Sequence, residues 1–218
     1  MICKEKAMGF ALAVTLAVAA LVAPGASAAE LHSTEAHTII SGGQTTTHSF
    51  TAGSGFGAIT CNSVNYEGTT TATTQTTWTI LPSTSGCKDT FARTVDVIIN
   101  GCDYEFHATS GGPPNWTGHY YLKCPLGKKV EYRVTSGGTT VCTITFGEQS
   151  GVGPIDFANV ANGDIEVKFT VNNLKNTTSG GSLNCGIANG EHTSGTYSGT
   201  TIFAGINTAG AGVNLTIG

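Results

Sequence analysis

The feature that most constrains this chain is Arg93-Thr-Val-Asp-Val-Ile-Ile-Asn-Gly-Cys-Asp-Tyr-Glu-Phe-His107, where Asn100-Gly101 separates two runs with apolar residues at alternate positions. Asn-Gly between such runs is a strong hairpin signal, because a type I′ turn needs positive φ at both central residues. A two-residue loop sets Ile99 opposite Cys102, Val97 opposite Tyr104 and Val95 opposite Phe106, all on one face. The pattern predicts antiparallel β structure.

The next strands extend that reading. Cys102 to Ala108 and Thr117 to Cys124 flank a loop centred near Pro113. Pairing symmetric about Pro113 places Cys102 opposite Cys124, Tyr104 opposite Leu122 and Phe106 opposite Tyr120. The apolar faces agree, a test that a one-residue slip fails. The hairpin Val130–Val134 and Thr140–Phe146, with Ser136-Gly-Gly138 as a three-residue loop, puts Tyr132 opposite Cys142 and Val130 opposite Ile144.

Residues 1–28 read as a secretory leader: Lys4 and Lys6, an apolar core from Met8 to Val22, and Ala26-Ser27-Ala28 as cleavage signal. The expected mature chain, residues 29–218, is a single secreted β domain. It keeps six cysteines: Cys61, Cys87, Cys102, Cys124, Cys142 and Cys185. An even number in an exported chain reads as three disulfides, and no spacing typical of a zinc site occurs. Cys102–Cys124 is the best single pair. Cys142 lies two strands from Cys124 at about 4.8 Å per strand, so its partner is expected from Cys61, Cys87 or Cys185. Cys124–Cys142 is the rival.

Without the leader the chain has eight Lys/Arg and thirteen Asp/Glu, and no basic run. That balance argues against a nucleic-acid partner. No apolar stretch after the leader approaches the roughly 20 residues of a membrane-spanning helix. Thr, Gly, Ser and Asn abound, a composition suited to strands and turns. Elsewhere a short hairpin is expected over His37–Phe50, turning at Ser41-Gly-Gly43. Loops are expected over Pro82–Asp89, Gly147–Gly163 and Asn172–Ser182. Asp164–Val171 alternates strictly, with Ile165, Val167, Phe169 and Val171 inward. Further strands fit Thr196–Phe203 and Val213–Ile217. The expected fold is all-β: a disulfide-bonded antiparallel β-sandwich or open barrel of about ten short strands.

Two groups of residues stand out for chemistry. The register about Pro113 sets His107 beside His119 on the outer face, with Glu105 on the same strand, a weak surface cluster for a metal or a proton. The simpler reading is two solvated surface histidines, and no metal or cofactor is expected. The loop Thr109–Thr117 carries Asn115 and Trp116, with Tyr121 nearby, and is a candidate ligand loop of aromatic and amide groups. In the competing reading Trp116, on the inward parity, covers the end of the core. No G-x-S-x-G or H-E-x-x-H motif occurs.

With Gly86-Cys87, Val95–Phe106 and the later Cys124, Cys142 and Cys185 in view, the chain resembles a group of uncharacterised, exported, cysteine-containing β proteins of soil actinobacteria. The resemblance spans about Cys61 to Phe203. It implies export and a β fold and carries over no catalytic residue. The expected function is an extracellular or cell-surface β-sandwich module, non-catalytic, structural or binding a cell-wall glycan or extracellular protein through its loops. The alternative is a secreted hydrolase of an extracellular polymer without a local motif.

Overall fold

The computed structural model describes residues 29–218. The leader expected over residues 1–28 and its cleavage after Ala28 lie outside the described residues. The first half of the described chain supplies β1 (Leu31–Ser33), β2 (Ile39–Gln44), β3 (Ser49–Thr51), β4 (Ile59–Thr60), β5 (Ser63–Thr69), β6 (Thr74–Gln75), β7 (Trp78–Ser85) and β8 (Thr94–Ile98). The second half supplies β9 (Asp103–Gly112), β10 (Asn115–Lys123), β11 (Val130–Ser136), β12 (Thr139–Phe146), β13 (Gln149–Val160), β14 (Asp164–Ser179), β15 (Gly190–Ile206), β16 (Gly212–Val213) and β17 (Leu215–Ile217). A one-turn helix, α1 (Ser182–Cys185), lies between β14 and β15.

All strand pairings are antiparallel. Eight strands close on themselves in the order β15–β2–β5–β7–β9–β10–β13–β14, with β14 returning to pair with β15. The all-β expectation holds, and of sandwich and open barrel the chain adopts a barrel, closed rather than open. Closure removes the exposed edges an open sheet would present. An eight-stranded barrel is just wide enough for side chains to fill. Here the indole of Trp78 meets the rings of Phe106, Phe157 and Phe203 at 5.9, 5.4 and 6.0 Å. Gly42 makes room for this packing: a Cβ there would lie 2.5 Å from the Phe203 ring.

One end of the barrel is covered by the small sheet β17–β1–β6, whose Leu31, Leu215 and Ile217 are buried. Asn159 on β13 holds it, its amide donating to the Ile217 carbonyl and accepting from the Ile217 N–H. At the other end β14 and β15 run on past the barrel. Tyr197 of β15 pairs with Phe50 of β3, and β3 pairs with β4. Thr177–Ser179 of β14 pair with β12, which carries β11 and then β8. The two arms meet at Lys88, which bridges Thr60 of β4 and Thr94 of β8. Phe50, Ile59, Val95, Val134, Ile144 and Phe146 are buried within this second ring and belong to one hydrophobic cluster with the barrel core.

The disulfides are Cys102–Cys124, as expected, with Cys61–Cys87 and Cys142–Cys185. Cys185 is thus the partner of Cys142, and the rival Cys124–Cys142 pairing does not form. Three disulfides fit an oxidising, extracellular environment. No helix among the described residues is long and apolar enough to cross a membrane.

The register about Pro113 is observed: Tyr104 faces Leu122, Phe106 faces Tyr120 and His107 faces His119. The Asn100-Gly101 turn also forms, with φ of 56° and 76° and the Cys102 N–H donating to the Ile99 carbonyl at 3.0 Å. Beyond the turn the expected hairpin is corrected. Val97 and Val95 face Tyr132 and Val134 on β11, while Tyr104 and Phe106 face Ile80 and Trp78 on β7. With β7 and β10 on its two sides, β9 has no free edge for β8. The next hairpin turns in two residues, Gly137 and Gly138, both at positive φ, with a bulge after Val134. Tyr132 therefore faces Ile144, Val130 faces Phe146 and Val134 faces Cys142. The slip is by two residues, so each side chain keeps its expected face.

Several expected loops are strands. Ser41–Gly43 lie inside β2, Pro82 inside β7, and most of residues 147–163 and 172–182 inside β13 and β14. The loop expected over Thr109–Thr117 shrinks to Pro113-Pro114 between β9 and β10.

Candidate binding site

Where the barrel mouth meets the second ring, inward side chains enclose a cavity of about 50 Å³. Five of the chain's six tyrosines line it. Tyr66 on β5, Tyr104 on β9, Tyr120 on β10 and Tyr197 on β15 come from the barrel wall. Tyr132 on β11 comes from the arm above. Phe50, Phe146 and Phe169 fill the gaps, with Tyr132 at 5.0 Å from Phe50 and Tyr104 at 5.4 Å from Tyr120, centroid to centroid. Among the described residues the wall contains no Asp, Glu, Lys, Arg or His; besides the phenols its polar side chains are Thr84 and Gln149.

The phenols fall into two sets. Tyr66 and Tyr197 belong to a buried chain that ends on His48, in the segment leading into β3. The Nε2 of His48 lies 3.2 Å from the Thr200 carbonyl, which can only accept, so Nε2 carries the proton. Thr201 Oγ1 is 3.1 Å from the same nitrogen. Nδ1 is then an acceptor, and the Tyr197 hydroxyl donates to it at 2.5 Å. Tyr66 in turn donates to the Tyr197 oxygen at 2.9 Å. Burial lowers the His48 pKa, opposed by the Thr200 carbonyl, and keeps the ring neutral.

Tyr104, Tyr120 and Tyr132 form the second set. Their hydroxyls have no hydrogen-bond partner among the described residues, although Tyr120 is only 5% exposed. Burial raises the Tyr132 phenol to about 12 and pushes the other four up as well, so all five are neutral at physiological pH.

The opening side of the cavity has one unusual piece of wall. β13 and β14 pair only from Ile155 opposite Phe169 to Val160 opposite Asp164. Nearer the mouth they part, and Gln149 spans the gap with two hydrogen bonds of 2.9 Å to the Lys175 backbone. Outside this amide lies a polar groove flanked by Lys123, Glu148, Asn172 and Asn173.

The residues singled out from the sequence lie elsewhere. Trp116 is 4% exposed and packed with the core, and it lines a shallow hollow together with Asn115, Asp156 and Glu166. Tyr121 points to the opposite face of β10, so Trp116 and Tyr121 form no common platform. On that outer face the expected pair is present: His107 stacks on His119 at 5.7 Å, and Tyr121 meets His107 edge-on at 4.5 Å. Glu105 Oε2 is 3.8 Å from His107 Nε2, which is buried without a hydrogen-bond partner. Burial lowers the His107 pKa against the pull of Glu105. Among the described residues no three His, Cys, Asp or Glu side chains are grouped to hold a metal ion.

Parity along the strands puts Tyr104, Tyr120 and Tyr132 on the apolar face. The overlooked signal is that each inward tyrosine brings a hydroxyl that needs a partner or a cavity. Comparison with known proteins finds no matching family model, curated protein or solved structure.

Proposed function

We propose that this protein is an exported, non-catalytic binding module of the extracellular space or cell surface, whose ligand enters the barrel-mouth cavity rather than resting on the loops. The observation that carries the reading is the convergence of five tyrosines, from four barrel strands and one arm, on a single uncharged cavity. A wall that is mostly apolar with a few convergent polar groups is how proteins hold small molecules. The barrel-mouth cavity is preferred to the loop because Trp116 is only 4% exposed. A glycan chain fits poorly, since most of its hydroxyls would lose water in a wall this apolar.

Titrating the ¹⁵N-labelled secreted protein with butan-1-ol tests the reading. Saturable shifts are expected at the amides of Tyr66, Tyr104 and Tyr120. They should vanish in Val97→Phe, which fills the cavity from its partly exposed side. Non-saturating shifts spread over the surface, unchanged in Val97→Phe, would refute it.

A further inference from the structure

We infer that the cavity selects a neutral, slender molecule, a short apolar chain carrying a carbonyl-type oxygen that accepts from two of the free phenols Tyr104, Tyr120 and Tyr132. The inference rests on the reading of the cavity as a ligand site and specifies its chemistry.

Size sets the first limit. A water needs roughly 10–15 Å³ of such space, so a cavity of about 50 Å³ admits the equivalent of a few waters, a chain of several heavy atoms. A sugar ring or a fused-ring compound does not fit.

Charge sets the second. No ionised side chain lines the wall, so a carboxylate or an ammonium group would lose its hydration without an opposite charge to replace it. Lys123 and Lys175 belong to the groove beyond Gln149 and do not line the cavity.

Hydrogen-bond direction sets the third. The Thr200 carbonyl fixes the His48 tautomer, which commits the Tyr197 hydroxyl to His48 and the Tyr66 hydroxyl to Tyr197. Those two phenols offer the cavity only oxygen lone pairs. Tyr104, Tyr120 and Tyr132 keep their O–H groups uncommitted to the protein. Three free donors in an apolar wall favour an acceptor, and a carbonyl oxygen, with two lone pairs, can take two of the three. A site built this way discriminates against the analogue lacking the oxygen, because its donors are then left unpaired.

Four probes of similar size separate these points: pentan-2-one, its alkene isostere 2-methylpent-1-ene, pentanoate and 2-aminopentane. Affinities at pH 7 come from calorimetric or NMR titration of the wild-type protein and of Tyr120→Phe and Tyr132→Phe. Pentan-2-one should bind saturably, and at least one of the two Tyr→Phe changes should weaken it by about three- to tenfold, the range of one net hydrogen bond, while leaving the alkene unchanged. Pentanoate and 2-aminopentane should bind at least about tenfold more weakly than the ketone, from the cost of burying charge. If the alkene and the ketone respond alike to both substitutions, or either ion matches the ketone, the inference is overturned while cavity binding stands. If no probe shows saturable binding that Val97→Phe abolishes, the binding reading itself falls and takes this inference with it.

Discussion

At the scale of single residues the two sets of tyrosines should behave oppositely when a hydroxyl is removed. Tyr197 both donates to His48 Nδ1 and accepts from Tyr66, so Tyr197→Phe leaves two buried groups unmatched. A loss of about 1–3 kcal/mol is expected in urea denaturation. Tyr120→Phe removes a hydroxyl with no protein partner and should leave stability within about 0.5 kcal/mol or raise it. Equal losses in the two variants would mean that the hydrogen-bonded chain contributes nothing particular. His48 adds a dependence on pH. Its folded pKa lies below the ordinary value of about 6.5, so between the two values the unfolded chain binds more protons. Stability must then fall as pH drops through about 6.5 and below. His107, also lowered, adds a slope of the same sign. His48→Gln keeps a donor for Thr200 and an acceptor for Tyr197 but cannot be protonated. Its stability relative to wild type should rise as pH is lowered from 7 to 5, measured by urea midpoints; superimposable profiles would exclude a buried neutral His48.

At the scale of elements, what could be read from the chain depended on whether polar residues interrupted the alternation. Asp164–Val171 is a strand by inspection. The same strand continues to Ser179 through Asn172-Asn173, where no apolar period survives. The continuation is held instead by buried polar groups: Asn176 donates to the Ala52 carbonyl and Thr178 to the Ala188 carbonyl. Turn chemistry was legible at Asn100-Gly101, yet it specified only the reversal, since β8 and β9 then take different partners. The site was half legible. Parity puts Tyr104, Tyr120 and Tyr132 inward, but nothing local marks Tyr66 and Tyr197 or shows that β11 crosses over the barrel mouth to add Tyr132. The Gln149 clasp is a test at this scale. It replaces missing ladder bonds between β13 and β14, so Gln149→Ala should let this part of β14 open locally. The Lys175 amide is expected to exchange about tenfold faster, with Ile165 and Val167 unchanged, by hydrogen exchange followed by NMR. Uniform acceleration along β14 would show that Gln149 matters for global rather than local stability.

At the scale of the whole molecule, barrel closure depends on β15 pairing with β2 near one end of the chain and with β14 near the other. Such long-range pairing leaves no mark in local pattern, which is why the strands alone point to a sandwich or an open barrel and not to the closed one. The second ring closes differently, through the bridges of Lys88 alone, with the adjacent Cys61–Cys87 disulfide holding β4 against the segment that leads into β8. That junction is the weakest seam of the two rings, because Thr60 and Thr94 each meet Lys88 through a single bridge, whereas the shortest ladder of the barrel, β7–β9, has three pairs. Cys61 and Cys87 are 26 residues apart. Loop-closure entropy over that length corresponds to about 3–4 kcal/mol. The double change Cys61→Ala, Cys87→Ala should therefore cost stability of that order and concentrate its structural effect on the second ring. The segment around Phe91, 72% exposed, should become the first site of limited proteolysis. Loosening the ring also moves Phe50, Val97 and Tyr132 away from the cavity they help to line. Pentan-2-one binding should weaken in this variant while the near-ultraviolet dichroism of Trp78, packed at the heart of the barrel, stays native. A variant that lost the Trp78 signal together with ligand binding would show that barrel and ring fold as one cooperative unit.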